Sequence, residues 1–170
     1  MHRLAVVRYE LMLSSEAIGR TSGFMAKRVL IAEDDPSDIF LLQRAFAAAK
    51  VPASLHVVRD GQEAIDYLEG DASFADRNTY PLPDLMLLDL KMPRLNGFDV
   101  LTWLRKKPGL KRLLVTVLTS SDHPTDINRA YDLGANSYLL KPHASSDLAE
   151  LIRRVQIYWL ESNRCATFVE

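Results

Sequence analysis

From residue 27 onward, short apolar runs alternate with longer stretches of helical period. The runs at 29–32, 55–58, 85–88, 113–118 and 136–140 have the length and composition of strands. Between them, 36–50 opens with Asp35 as an N-cap and Pro36 at the first helical position. A short helix follows at 61–69, another at 97–107 stops before Pro108-Gly109, and a fourth at 124–133 stops at Gly134. In the last, 146–163, one face carries Leu148, Leu151, Ile152, Val155 and Trp159, with Ile157 and Leu160 off it. Strands separated by helices predict an α/β fold with a parallel sheet covered on both faces and right-handed crossovers.

Two segments do not fit this alternation. Residues 70–84 have no period, and a loop of that length is either functional or a tolerated surface insertion. Residues 1–25 show no sustained pattern and end in serines and glycines. The expectation is a disordered arm over 1–25 (or an upstream start codon the cell does not use), a folded unit over 26–163, and a tail over 164–170.

Composition narrows the function classes. The 170 residues are one domain's worth, 48% hydrophobic and 25% charged, with a net charge of −1. That balance gives no electrostatic ground for nucleic acid or anionic lipid as the main partner. No run approaches the roughly 18 apolar residues that span a bilayer, and Arg8 and Glu10 spoil residues 4–13 as a secretory signal. The single Cys165 has no intrachain partner, which fits a reducing cytoplasm. The four histidines lack ligand spacing, and the basic cluster Arg105, Lys106, Lys107, Lys111 and Arg112 reads as a solvated loop.

The chemistry is concentrated in a few polar positions at strand ends. Asp34 and Asp35 follow the first strand, Asp89 the third, Thr119 the fourth and Lys141 the fifth. In open parallel sheets ligands bind beyond the carboxyl ends of the strands, so these side chains are expected to converge there. Asp89 follows four apolar residues, and a carboxylate at the end of a central strand is costly unless it is paired or holds a metal. A hard ion such as Mg²⁺ takes oxygen ligands. Asp35 and Asp89 are the expected direct ligands, with Asp34 acting through water and the Lys91 carbonyl adding an oxygen. A carboxylate is also a nucleophile toward phosphorus, and Lys141 and Thr119 suit the phosphoryl oxygens. Helix capping explains Asp34 and Asp35 equally well when they are taken alone.

Together the motifs Glu33-Asp34-Asp35, Leu88-Asp89-Leu90-Lys91-Met92-Pro93 with Asn96-Gly97, Leu118-Thr119-Ser120 and Lys141-Pro142 resemble the receiver domain of bacterial two-component response regulators. The resemblance covers about 27–162. It implies a flavodoxin-like, doubly wound five-stranded sheet in the order 2-1-3-4-5. It implies that Asp89 is the phosphoacceptor, that Asp34 and Asp35 form the acidic pocket with Mg²⁺, and that Thr119 and Lys141 contact the phosphoryl group. It further implies a cis Lys141-Pro142 peptide and a switch in which Thr119 and Tyr138 move together. Residues 70–84, the segment 130–139 and the ending 157–161 look like stand-alone regulators that partner phytochrome-type histidine kinases. That narrower likeness implies homodimers through the last helix, with Ile157 and Leu160 at the interface. With only 164–170 beyond that helix, the regulator is expected to act through protein contacts, with no catalytic output.

Three other functions compete. A Mg²⁺-dependent phosphohydrolase working through an aspartyl phosphate typically carries a second acid two residues after the nucleophile, where this chain has Lys91. Nucleotide binding needs glycines after the first strand, not Asp34-Asp35-Pro36. A receiver-like module that no longer takes phosphate is opposed by the intact acidic, Thr119 and Lys141 positions.

Overall fold

The computed structural model describes residues 27–164, so the arm over 1–25, Cys165 and the rest of the tail lie outside the described residues. Five strands form one parallel sheet: β1 (Lys27–Ala32), β2 (Ala53–Val58), β3 (Leu85–Leu88), β4 (Val115–Thr119) and β5 (Ser137–Leu140). Their order is β2-β1-β3-β4-β5, as the resemblance implied. The registers place Val29 beside both Leu55 and Leu85, and Thr119 beside Leu140. Five helices connect and cover the strands: α1 (Pro36–Ala48), α2 (Gly61–Glu69), α3 (Gly97–Lys106), α4 (Pro124–Asp132) and α5 (Ser145–Val155).

The run composition sets each strand's depth. All of β3 and β4 and the last four residues of β1 are buried, as central parallel strands must be, while β2 and β5 are half-exposed edges. Period-two alternation splits the core. Leu30, Ala32, Met86, Leu88, Val115 and Val117 pack under α2, α3 and α4. Val29, Ile31, Leu85, Leu87 and Leu118 pack under α1 and α5. β4 starts two residues later than its apolar run because Leu113 closes a turn onto the Leu110 carbonyl at 2.8 Å.

Three readings of the sequence change here. Arg105 is not a solvated loop residue: its guanidinium donates to the carbonyls of Gly134, Lys111 and Leu113 and ties α3 to the turn before β5. Residues 70–84, aperiodic in the sequence, are held in place by specific anchors. Arg77 donates to the α2 carbonyls of Tyr67 and Leu68, the Tyr80 ring packs edge to face on Tyr67 and Phe74, and Asp84 holds Arg28. This loop enters β3 at the amino end of the sheet, away from the carboxyl edge. Finally, α5 continues as a π-helix over Gln156–Ser162. A π step brings residues five apart into line, so Leu160 lies beneath Val155 and enters the core, leaving Ile157 and Tyr158 exposed. Leu160 is therefore not available to an interface. Among the described residues no helix is long and apolar enough to cross a membrane.

Candidate functional site

Three strand ends and the first turn of α1 build the site. β1 delivers Glu33 and Asp34, with the Glu33 amide held on the Val58 carbonyl at 3.0 Å. β3 delivers Asp89, whose amide donates to the Ala32 carbonyl at 3.0 Å. Its side chain is nearly buried; Oδ1 accepts from the Leu90 amide at 2.7 Å and Oδ2 faces Lys141 Nζ at 3.3 Å. The Lys141 ammonium also reaches Glu33 Oε2 at 2.5 Å and Asp38 Oδ2 at 2.7 Å. Burial alone would lower the Lys141 pKa, but the bonds to Asp38 and Glu33 and the charge of Asp89 outweigh it and hold the ammonium ionised. Burial pushes the Glu33 carboxyl up to about 7, against the opposing pull of Lys141.

The acidic pocket differs from the sequence expectation by one residue. Carboxylate oxygens of Glu33, Asp34 and Asp89 all lie within 4.8 Å of one another. Asp35 is not among them. It is exposed, and its Oδ1 caps α1 by accepting from the amides of Ser37 and Asp38 at 2.7 and 3.1 Å. Asp34, expected to act through water, stands in the group. Sequence reasoning missed Glu33 and Asp38. Glu33 was legible as the first acid after β1, but Asp38, an acid in the first turn of α1, carries no signal in the sequence that sets it apart.

With Asp38 included, three carboxylates (Glu33, Asp38 and Asp89) face one ammonium, and Asp34 stands beside Glu33 and Asp89. That excess of negative, hard oxygen donors fits a divalent cation held by Glu33, Asp34 and Asp89. The Lys91 side chain is exposed, while its neighbours Leu90 and Met92 are buried and anchor the loop after β3. Gly97 closes this loop tightly: a Cβ there would collide with the Asp89 carbonyl oxygen.

Thr119 ends β4 fully buried, and its Oγ1 has no hydrogen-bond partner among the described residues. A buried hydroxyl left unpaired costs about 1–3 kcal/mol, so an incoming oxygen acceptor at this strand end relieves an existing penalty. Thr116 Oγ1 shares that condition, but three residues back inside the strand, away from the carboxyl edge. Tyr138 pairs in register with Val117, and its hydroxyl donates to the Ser121 carbonyl at 2.8 Å, linking β5 to the loop before α4. The Lys141–Pro142 peptide corrects another expectation: no peptide among the described residues is cis. The Lys141 amide continues the ladder by donating to the Thr119 carbonyl at 2.9 Å, which aims the side chain into the pocket with a trans bond. His56 packs against the Tyr67 and Tyr80 rings, away from these groups.

Comparison with known proteins agrees with this arrangement. Residues 29–153 match the response regulator receiver domain family. Response regulator Rcp1 of Synechocystis sp. is 33% identical over 136 residues, 80% of this chain and 90% of that protein. Its Mn(2+)-bound form superposes with a TM-score of 0.74 at 32% identity, covering 83% of this chain and 99% of that one. The phosphorylated cyanobacterial phytochrome response regulator RcpA gives a TM-score of 0.78 at 36% identity over 84% of this chain and all of that one. Response regulator RPA3017, from red light signaling of R. palustris, gives 0.79 at 39% identity over 83% of this chain and 99% of that one. The five-stranded order, the carboxylates at the strand ends and these matches lead to one conclusion: this chain belongs to the receiver domains of response regulators, the signalling modules of two-component phosphorelays.

Proposed function

We propose that Asp89 accepts a phosphoryl group from a phytochrome-type sensor histidine kinase in the cytoplasm, and that the protein signals through protein contacts with no catalytic product. The observation that carries this reading is the placement of a nearly buried Asp89 carboxylate between the acids Glu33 and Asp34 and the ammonium of Lys141. In the transfer, an Asp89 oxygen forms a bond to phosphorus as the bond to the kinase histidine nitrogen breaks, and the imidazole leaves with the electron pair. Glu33, Asp34, Asp89 and the Lys91 carbonyl would hold Mg²⁺, which when bound would supply positive charge against the phosphoryl oxygens. Lys141 neutralises a further share, and the unpaired Thr119 hydroxyl donates to a phosphoryl oxygen. As Thr119 commits to that oxygen, Tyr138 follows. Because its hydroxyl is tied to Ser121, the loop before α4 shifts with it. The exposed Ile157 and Tyr158 at the π turn form the homodimer contact.

The test is intact mass after incubation with Mg²⁺ and phosphoramidate. Wild type gains one phosphoryl group, Asp89→Asn gains none, and chelating the metal abolishes the gain. An adduct on Asp89→Asn, or none on wild type, would end this reading.

A further inference from the structure

Lys141 is fully engaged in the resting site. An ammonium has three N–H donors, and three carboxylates face it: Glu33 at 2.5 Å, Asp38 at 2.7 Å and Asp89 at 3.3 Å. The weakest of the three contacts is the one to the phosphoacceptor. For Lys141 to reach a phosphoryl oxygen on Asp89, one present partner has to be released.

The choice of partner follows from burial. The Glu33 side chain is 2% exposed, and removing its cation leaves a buried, uncompensated carboxylate. The Asp38 side chain is 37% exposed on the first turn of α1, where water replaces the ammonium at small cost and the helix N-terminus still favours the negative charge. We propose that Asp38 is a positioning residue that restrains Lys141 in the unphosphorylated site, and that Lys141 exchanges Asp38 for a phosphoryl oxygen when Asp89 is modified. This rests on Asp89 being the phosphoacceptor. The restraint competes with the phosphorylated state, so Asp38 raises the threshold for occupying it. It also couples the site to α1, because the exchange frees the first turn of that helix.

The experiment is a titration of beryllofluoride with Mg²⁺, a mimic of the phosphoryl group, followed by fluorine NMR on the full chain. Asp38→Asn and Asp38→Ala are expected to bind the mimic about three- to five-fold more tightly than wild type, and Asp38→Glu to restore the wild-type affinity. A direct contact resists screening, so the gain should persist between roughly 0.1 and 0.5 M salt. Asn keeps the size of the side chain, so that variant carries the test if the alanine chain does not fold. Unchanged or weaker binding in Asp38→Asn overturns the restraint, and a gain that vanishes at high salt assigns it to general charge instead. If wild type takes no mimic, or Asp89→Asn takes it equally, the phosphoacceptor reading falls and the restraint with it.

Discussion

Burial pushes the Glu33 carboxyl up to about 7 against the pull of Lys141, whereas the amides of Asp38 and Ser37 hold that of Asp35 below the usual range. Two acids two residues apart therefore have different tasks: one lies in the pocket wall and the other closes a helix. Glu33→Gln or Asp34→Asn is expected to weaken Mg²⁺ binding about tenfold or more, while Asp35→Asn, which still caps α1, changes it less than about twofold. Calorimetric Mg²⁺ titrations decide between them; an equal loss in Asp35→Asn would return that residue to the ligand set. Gly97 matters at the same scale for a steric reason. Its missing Cβ lets the start of α3 cross the Asp89 carbonyl, so Gly97→Ala has to displace the backbone of Asp89. A loss of about 1–3 kcal/mol in urea unfolding is expected, and an unchanged midpoint would show that the loop gives way freely.

The loop over 70–84 and the π turn after α5 show what element-level pattern reading misses. The loop has no period because its order comes from single anchors: Arg77 on the end of α2, and Asp84 on Arg28. Burial pushes the Asp84 carboxyl up, but the side-chain and backbone bonds from Arg28 outweigh it and hold the group below its ordinary value of 3.8. A depressed folded-state value means that the anchor's contribution is present above the unfolded value and is lost as pH falls through the folded one. Asp84→Asn should therefore cost about 1 kcal/mol at neutral pH and progressively less below about pH 4. Urea unfolding across that range is the measurement, and a pH-independent difference would remove the ion pair from the account. In the π turn, a helical period of 3.6 assigns Trp159 to the buried face, where it packs part-buried, but gives no sign that the five-residue step brings Leu160 into the core as well. No periodicity announces such a step. Leu160→Ala is expected to cost about 2–4 kcal/mol.

Across the whole molecule, the sheet was readable because burial and strand order leave local traces. The apolar run of β3 and that of β4, broken only by Thr116, mark them as central, and the polar residue after each run marks the carboxyl edge where the site assembles. The partners of Lys141 were not readable: Asp38 lies 103 positions away on a helix, and no spacing rule joins it to the end of β5. Arg105 was opaque for the same reason, since its acceptors are mostly main-chain carbonyls that any sequence supplies. Assembly poses the same problem one level up. With Leu160 withdrawn into the core, the apolar surface left on the π turn is Ile157, 42% exposed, and Tyr158, 58% exposed. Both project from one turn that α5 fixes to the core through Val155 and Leu160, so an association through them begins from an already ordered surface. Replacing both with aspartate should raise the dissociation constant of the proposed homodimer at least about tenfold, because paired like charges then face each other across a two-fold contact. Sedimentation velocity over a concentration series reads that change, and phosphoramidate labelling of the same variant should match wild type because neither residue belongs to the Asp89 pocket. A variant that still associates at wild-type strength would place the interface on another face, and the turn's exposure would then have no part in assembly.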